Sequence, residues 1–433
     1  MTLQTILPVQ AAQIKEWAEA RGEAAWLTER RLQALELAAS LELPKPEKTK
    51  LDRWDLSAYG AFKSVAKTAS REELPAATKE FIEEGTHNLI VQHNSGVVYT
   101  ELSEELRAKG VIFTDLETAA REHEVLVKKH LGTAVKTSEH QVSALHYAAW
   151  TGGVFLYVPK NVELEVPLQA VFLTDDASAT FAPHILVVAD ANSRVTYVDN
   201  YVSTGLDGKV LHNGVVEVIA LDGAKVQYAT VHQFGKEVTD LSYRRALLSN
   251  DADIEWIVGE MNDGDTIADT ATSLNGNGTH SDAKIIAIGS GTQKLNFTTR
   301  AVHFGKSSES DMFTRAVMRE EAQSIINGIT KIEHGATKAN GQQTEKVLML
   351  SPAARGDANP ILLIDEDDVM AGHAASVGKV NPEQVYYLMS RGISKSDAER
   401  LIIYGFLAPI IAEIPLELLR TRLQRIVERK LGQ

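Results

Sequence analysis

The middle of the chain, from about residue 140 to 370, consists of short apolar runs separated by turns rich in Gly, Asp and Asn. Its strand-like runs are 153–159, 184–190, 194–202, 215–221, 225–234, 254–261, 284–289 and 294–304. No convincing long helix lies between them. A doubly wound α/β sheet needs a crossover helix between its parallel strands, so this pattern disfavours that fold.

Small polar turns recur ahead of these strands at uneven spacings of roughly 30 to 40 residues, within the repeat lengths of solenoids and propellers. They begin at Asp190, Asp222, Asn250, Gly289 and Glu320. We therefore favour a mainly β fold built around a parallel β-helix, in which each turn of chain buries apolar side chains against the next. A pair of packed β-sheets is the alternative.

Helical patterns flank this zone on both sides. Residues 1–135 are predicted to form a mainly helical domain with a small β segment, a hairpin over 88–102. We expect the β-helix core to span 136–375, with its last predicted strand, 361–364, buried. A C-terminal helical domain is expected over 376–433.

The C-terminal zone begins with Asn381 and Pro382, which predict the capped start of a helix that ends near Gly392. Ser394 opens a second helix, and Pro409 is expected to break it. Its predicted buried face contains Leu401, Ile402, Gly405 and Phe406. Residues 415–433 should form a closing amphipathic helix.

Composition excludes several classes of function. The chain has no cysteine, so alone it cannot form a disulfide, a Cys-ligated zinc site or a four-Cys iron–sulfur cluster. Its net charge of −14 argues against nucleic-acid binding, which needs a basic surface. We find no signal peptide and no apolar run of 18 residues, so we predict a cytoplasmic protein without a membrane segment.

Two sets of motifs give little support for a phosphate-binding loop or a cation site. Gly305-Lys306-Ser307 resembles the end of a phosphate loop, but Arg300 stands where that motif needs glycine and no helix follows. Any ATP chemistry must therefore come from a partner, and we assign no catalytic residue. The acidic clusters 263–265 and 365–368 are predicted to be solvated turns in preference to cation sites.

Among 13 histidines, His373 has the most unusual surroundings. The residues around it, at 371, 372 and 374–376, are all small, which lets a ligand or another backbone come close. We predict a small-residue loop here, between the strand zone and the C-terminal helices. Its imidazole can offer one nitrogen to a metal or to an interface.

The segment 367–411 combines an acidic Asp-Val, a His-containing small-residue stretch, an aromatic helix ending in Ser-Arg-Gly-Ile and a helix containing Gly-Phe. It closely resembles the C-terminal signature of the SufB/SufD family of iron–sulfur cluster assembly scaffold proteins. Segments 152–169 and 326–354 also resemble family blocks, and the resemblance covers roughly residues 85–430. The chain departs from the family at 53–56, at 362–365 and at Ala374. Histidine in place of cysteine at 373, the absence of cysteine and the helical N-terminal zone point to the SufD side of the family.

This resemblance implies a right-handed parallel β-helix core flanked by N-terminal and C-terminal helical domains. It implies a heterodimer with a SufB-like paralogue through the β-helix, and contact with a SufC-like ABC ATPase through the C-terminal helices. A transient iron–sulfur cluster or iron would be shared with SufB at their interface, with His373 as this chain's ligand, and none would be bound by this chain alone. The complex would support iron acquisition, and the lone chain is expected to be able to homodimerise.

Two other functions compete with this interpretation. The first is a purely structural partner of SufB, in which His373 only packs or is solvated. The second is a β-helix enzyme that acts on polysaccharides. Its groove would combine acidic and basic side chains: Asp263, Asp265 and Asp269 with Arg244, Arg245 or Lys284.

Overall fold

The computed structural model of the chain describes residues 7–430, apart from 84 and 416. The last three residues of the predicted closing helix, and the first six of the chain, lie outside this range. No helix among the described residues is both long and apolar enough to cross a bilayer.

The helices are α1 (Ala11–Arg21), α2 (Ala25–Ser40), α3 (Ala76–Lys79), α4 (Glu104–Ala108), α5 (Leu116–Glu122), α6 (Glu124–His130), α7 (Gln141–Ala149), α8 (Pro382–Ser390), α9 (Lys395–Ile411) and α10 (Glu417–Lys430). The first strands are β1 (Leu89–His93), β2 (Gly96–Glu101), β3 (Ile112–Thr114), β4 (Val154–Val158), β5 (Leu168–Thr174), β6 (His184–Ala189), β7 (Arg194–Ser203), β8 (Val210–Ala220), β9 (Lys225–Gln233) and β10 (Val238–Leu248). They are followed by β11 (Asp253–Glu260), β12 (Thr266–Leu274), β13 (His280–Gly289), β14 (Lys294–His303), β15 (Glu309–Met318), β16 (Gln323–Ile332), β17 (Asn340–Met349), β18 (Arg355–Ile364) and β19 (Met370–Lys379).

From β4 onward, successive strands alternate between two long parallel sheets. One sheet has the order β19-β17-β15-β13-β11-β9-β7-β5-β1-β2, and the other has the order β18-β16-β14-β12-β10-β8-β6-β4-β3. The pairs β1–β2 and β3–β4 are antiparallel. The chain is thus a parallel β-solenoid of about eight turns with helices at its N- and C-terminal ends. The prediction of a mainly β, parallel β-helix architecture is confirmed.

The polar turns recognised in the sequence stack at two corners of the solenoid: those at Gly289 and Glu320 lie on one side, and those at Asp190, Asp222 and Asn250 lie on the other. Asn192, Asp251 and Ser307 adopt left-handed backbone conformations at the latter corner, with φ between 53° and 57°. Backbone N–H groups of one turn donate to carbonyls of the next, as Asn192 does to Asp222 at 2.8 Å. A side chain at Gly305 would place its Cβ 1.7 Å from the carbonyl oxygen of Gly276. The Gly-Lys-Ser tripeptide is therefore a tight solenoid corner between β14 and β15.

The interior changes character along the axis. In the N-terminal half it is filled by large side chains such as Phe172, Tyr197, Tyr228 and Trp256, all fully buried. Towards the C-terminal end, small and polar residues replace them, among them Ser310, Gln343 and Glu345. The predicted hairpin at 88–102 forms as β1 and β2, and β1 extends the solenoid sheet by pairing with β5.

The C-terminal helices correct two sequence predictions. Pro409 does not break α9, which continues to Ile411. Proline removes the hydrogen bond to the carbonyl four residues earlier, which belongs to Gly405. Because Gly405 is exposed, water can satisfy that carbonyl and the helix can continue. The predicted buried face is wrong in part: Leu401 is 48% exposed, whereas Phe406 packs against the buried cluster under α9. The face that packs on the outer surface of the solenoid includes Ala398, Ile403, Leu407, Ile410 and Ile411.

Candidate functional site

His373 lies on β19, the last strand of the solenoid, and not in the predicted loop. The prediction was wrong because a run of small residues has little strand propensity, whereas here the preceding turn aligns it with β17. His373 pairs in register with Gln343. Gln343 points into the interior, as do Gly341 and Glu345 on the same strand. Paired residues of parallel strands share a face, so His373 stands at the interior edge of the last turn, where it is exposed.

Glu345 is the buried ionisable neighbour of this position, one turn deeper. It is 2% exposed, and its Oε2 has no hydrogen-bond partner among the described residues. Burial raises its pKa to about 7. A Cβ at Gly328, on the facing sheet, would lie 1.9 Å from Glu345 Oε1 and 3.0 Å from Gln343 Oε1. Glycine at 328 therefore leaves room for both polar side chains inside the final turns.

The C-terminal end of the solenoid is open. β18 and β19 are the edge strands of the two sheets, and no described strand pairs with their outer sides. Apolar side chains on these strands are exposed: Leu363 (47%), Ile364 (38%), Met370 (64%) and Val377 (41%). The prediction that 361–364 is a buried strand was therefore wrong about burial, because no further turn covers it.

A second exposed apolar surface lies on the C-terminal helices. A groove of about 510 Å³ runs between α8 and α9 and is lined by Tyr387, Leu388, Leu401, Ile402 and Gly405, among others. Tyr387 is 57% exposed, and Tyr386 beside it is 74% exposed. Gly392, with φ at 87°, makes the turn that brings the two helices together. We call this surface the α8–α9 groove.

Comparison with known proteins agrees with this architecture. Residues 172–406 match the family model described as the SufBD core domain of the SUF system for FeS cluster assembly, and residues 18–170 match that of the SufBD protein N-terminal region. The iron–sulfur cluster assembly protein SufD of Bacillus subtilis (strain 168) is 49% identical over 99% of this chain and 100% of its own length. Iron–sulfur cluster assembly SufBD family proteins of Staphylococcus saprophyticus and Staphylococcus epidermidis are 28% identical over 93% of this chain and 89% of theirs.

The chain belongs to the SufBD family. It is a SufD-family iron–sulfur cluster assembly protein, which confirms the family resemblance inferred from the three sequence blocks. Its link to iron–sulfur clusters follows from this membership.

Elsewhere in this SufBD-family chain, His212, His232 and Asp240 bring three possible metal ligands within 4.8 Å of one another, the one such group in the described part of the chain. The Nδ1 atoms of both histidines donate to Asp240 at 2.7 Å. The Nε2 of His232 accepts from Arg244 at 2.9 Å. A metal bound to His232 Nδ1 would force the ring proton onto Nε2. There the proton would face the N–H donor of Arg244, so the present hydrogen bond would be lost. The hydrogen bonds therefore favour a structural network over a metal centre.

This interior network is held by charge as well as by hydrogen bonds. Burial alone would raise the pKa of Asp240, but the two histidines lower it well below the ordinary value. Ser242 and Asn262 donate to the same carboxylate at 2.7 and 2.9 Å. This cluster could not be recognised from the sequence, because His212 and His232 are 20 residues apart and meet only where β8 and β9 face each other across the interior.

A second buried network joins the N-terminal helices to the solenoid. The carboxylate of Glu217 on β8 accepts backbone N–H groups from Gly132, Ala134 and Val135 at 2.7–3.0 Å. It also accepts from Tyr147 and faces His184 Nε2, each at 3.1 Å. Burial alone would raise the pKa of Glu217, but the hydrogen bonds from His184 and the backbone lower it. We call this arrangement the Glu217 clamp.

Of the residues suggested for a polysaccharide-active groove, the structure brings together only Arg245 and Asp269. Arg244 is inside the solenoid, bonded to Glu260 at 3.0 Å. Asp263 pairs with Lys430 of α10 at 2.6 Å, and Lys284 lies under α9, bonded to Glu255 at 2.8 Å. Arg245 and Asp269 are bonded to each other at 3.1 Å on another face. Asp265 is engaged by the backbone N–H of residue 294 at 2.8 Å.

The second acidic cluster, 365–368, is the turn between β18 and β19. Glu366 accepts the backbone N–H of Gly335 at 2.8 Å, which ties this turn to the one before it. These contacts are typical of a solenoid corner. They agree with the interpretation of this acidic cluster as a solvated turn.

Proposed function

We propose that this chain is the non-ATPase scaffold subunit of a complex with a SufB-like paralogue and a SufC-like ABC ATPase. In this complex it helps to build or hold a nascent iron–sulfur cluster and supports iron acquisition in the cytoplasm. The observation that carries the proposal is the open C-terminal end of the solenoid, where two unpaired edge strands, exposed apolar side chains and His373 occur together.

An open end of this kind suits a partner of the same architecture. Edge strands present rows of unpaired N–H and C=O groups, and exposed apolar residues such as Met370 and Val377 gain free energy when they are covered. A SufB-like paralogue with a matching edge would continue both sheets. In its absence, a second copy of this chain is the substitute, so a homodimer is expected when the chain is alone.

The chemistry of His373 supports a shared site. A chain without thiolates cannot hold a cluster alone, but a neutral imidazole is a usable iron ligand. His373 is exposed at the edge that the paralogue would cover, so a SufB cysteine can complete the site across the interface. One imidazole binds iron more weakly than thiolates do, which suits a cluster that must be passed on. We therefore propose that His373 helps to hold the cluster as cargo, before the cluster is passed on.

The α8–α9 groove is our proposed docking surface for the ATPase. It is apolar, it lies apart from the open end on different elements, and its aromatic side chains are of the type enriched at interfaces. ATP-driven dimerisation of the ATPase would then act through these helices on the solenoid they pack against, and so open or reshape the cluster site.

The first experiment is to tag the full chain in its native host and identify what copurifies, with and without ATP. We expect an ABC-type ATPase and a Cys-containing paralogue. Recovery of the folded chain alone, even when coexpressed with these partners, would contradict the proposal. Turnover of a pectin-like polymer by the lone chain would favour the enzyme alternative.

The second experiment separates His373 from the interface around it. In the coexpressed complex, His373→Ala should leave partner recovery unchanged and reduce the iron and sulfide content and the visible cluster absorption. His334→Ala, at a 90% exposed histidine in another turn, is the matched control. A His373→Ala complex with normal iron, sulfide and absorption would instead establish a purely structural partner of SufB.

The third experiment tests the docking surface for the ATPase. Leu401→Glu places a charge in the α8–α9 groove and should release the ATPase while the paralogue stays bound. Val125→Glu, at an 82% exposed apolar residue of α6, is the control with the same change of charge. Retention of the ATPase by both variants would remove the groove from the proposal.

A further inference from the structure

A cleft of about 430 Å³ lies between the C-terminal helix α10, the ends of β7 and β9 and the segment around α3. It is separate from the open end and from the α8–α9 groove. Its polar lining comes from three arginines of α10, from three side chains at the strand ends and from one carboxylate: Arg422, Arg425, Arg429, Ser203, Thr204, Gln233 and Glu80. We call it the arginine cleft.

The arginines concentrate positive charge in a chain whose net charge is −14. They are spaced by three and four residues, which puts them on one face of α10. Arg422 pairs with Glu80 at 2.6 Å and lies 4.3 Å from the ring centre of Phe81. Within the described ranges, neither Arg425 nor Arg429 has a carboxylate within 4.0 Å. Among the described residues, these two guanidinium groups therefore lie at the cleft without a paired carboxylate.

The carboxylate of Glu80 is paired with Arg422, and two other side chains at the cleft offer donors. The Nε2 of Gln233 is buried and has no hydrogen-bond partner among the residues described. The Oγ of Ser203 accepts from the backbone N–H of Gly235 at 2.8 Å, so its own proton is available to donate. Unpaired donors next to unpaired guanidinium groups form a site for an anion with several acceptor oxygens. A phosphoryl group has three such oxygens and up to two negative charges, and it is the group that planar guanidinium donors match best.

We propose that the arginine cleft binds the phosphoryl group of a small molecule. Its volume lies within the range of small-ligand sites and exceeds that of a phosphate ion, so it has room for an attached organic group. Free phosphate and an organic phosphate share the chemistry that recognises the phosphoryl group, and the experiment distinguishes them. The proposal does not depend on cluster assembly or on His373.

The test uses the full chain and titration calorimetry at low ionic strength, with inorganic phosphate, pyrophosphate and metal-free ATP as separate probes. We expect saturable binding of at least one probe with a dissociation constant below about 1 mM. Binding should weaken with added salt, because the contacts are ionic and partly exposed. Phosphate binding as tightly as ATP would identify the free ion as the ligand, and tighter binding of ATP would identify an organic phosphate.

Matched variants make the assignment specific. The double variant Arg425→Gln/Arg429→Gln should weaken binding at least tenfold, and Gln233→Leu should weaken it without changing net charge. The control Arg107→Gln/Arg391→Gln removes the same charge at exposed positions and should change binding less than twofold. Circular dichroism establishes that each variant is folded.

The proposal would be overturned if no probe showed saturable binding, if the control and the cleft variants weakened phosphate binding equally, or if the cleft double variant bound as tightly as wild type. It would also be overturned if no soluble phosphate bound but anionic lipid vesicles did, in a way that depended on Arg425 and Arg429. That outcome would assign this face to a membrane surface.

Discussion

The Glu217 clamp gives the sharpest test of how the N-terminal helices are held on the solenoid. Glu217→Gln keeps the size of the side chain but replaces one carboxylate oxygen with an amide NH₂. If the NH₂ replaces Oε1, it faces the N–H groups of Ala134 and Val135. If it replaces Oε2, it faces Gly132, Tyr147 and His184. In either orientation, the new NH₂ group faces at least two donor groups, and these lose their acceptor.

The expected cost follows from the number of orphaned donors. Each buried donor left without an acceptor costs about 1–3 kcal/mol, so two of them, relaxed in part, cost about 2–4 kcal/mol. At about 1.4 kcal/mol for each factor of ten, the amides of the clamp should exchange with solvent roughly 30- to 1000-fold faster. The effect is local, so native-state hydrogen exchange of the peptide around 130–136 is a better measurement than a global melting curve.

The pH dependence has a definite sign. The pKa of Glu217 is lowered in the folded protein, so its stabilising contribution is present above its unfolded value near 4.5 and is lost as pH falls. The difference between wild type and Glu217→Gln should therefore shrink on acidification. Glu309→Gln, at an exposed carboxylate that starts β15, is the control. Exchange of the clamp amides within threefold of wild type in Glu217→Gln would refute the reasoning.

Three further predictions follow from the interior and the corners. Glu345→Gln should stabilise the chain by about 1–3 kcal/mol at pH 8 and have little effect at pH 5. The reason is that a carboxyl whose pKa is raised to about 7 in the folded chain lowers stability as pH rises from 4.5 to 7. Melting temperatures of this variant and of Glu309→Gln, measured across this pH range, check the prediction. Asp240→Asn removes the anion between two buried histidines and should destabilise by about 3–5 kcal/mol, seen as a lower melting temperature at pH 7. Gly305→Ala should destabilise by about 1–3 kcal/mol, because its Cβ meets the backbone of Gly276; an unchanged melting curve would contradict this.

Much of the solenoid was predictable from its turns and its most apolar strands. The runs at 184–190, 225–234 and 294–304 correspond closely to β6, β9 and β14. Strands such as β10, β12 and β17 were missed because polar residues occur on both of their faces. On β10, Asp240 and Arg244 are buried and Arg245 lies on an outer face; on β17, Glu345 is buried and Lys346 is exposed. A half-buried strand in a polar sequence becomes recognisable only when its neighbours set the register.

The sequence singled out His373 as a candidate, but it did not predict where that residue lies in the fold. His373 was singled out by its small neighbours, and its location on an edge strand required the pairing of β19 with β17. Glu345 and the arginine cleft carried no sequence signal. Glu345 sits in a polar strand with no motif, and Arg425 meets Gln233 only because α10 folds back across the sheet. Contacts between residues almost 200 positions apart depend on the packing of whole elements, which periodicity does not determine.

The gradient inside the solenoid connects its stability to its proposed partner. Each turn of a solenoid contacts only its neighbours, so a terminal turn without a cap has about half the stabilising contacts of an interior one. At the N-terminal end, α4 closes the core with Leu106, which is 2% exposed. Among the described residues nothing covers the C-terminal turn in this way, and the turn beneath it contains the buried carboxylate of Glu345 in place of a large apolar side chain. The C-terminal turn should be the least stable part of the core in the isolated chain. A partner that binds only its ordered form stabilises it by mass action, so hydrogen exchange in β18 and β19 should slow markedly when the paralogue binds.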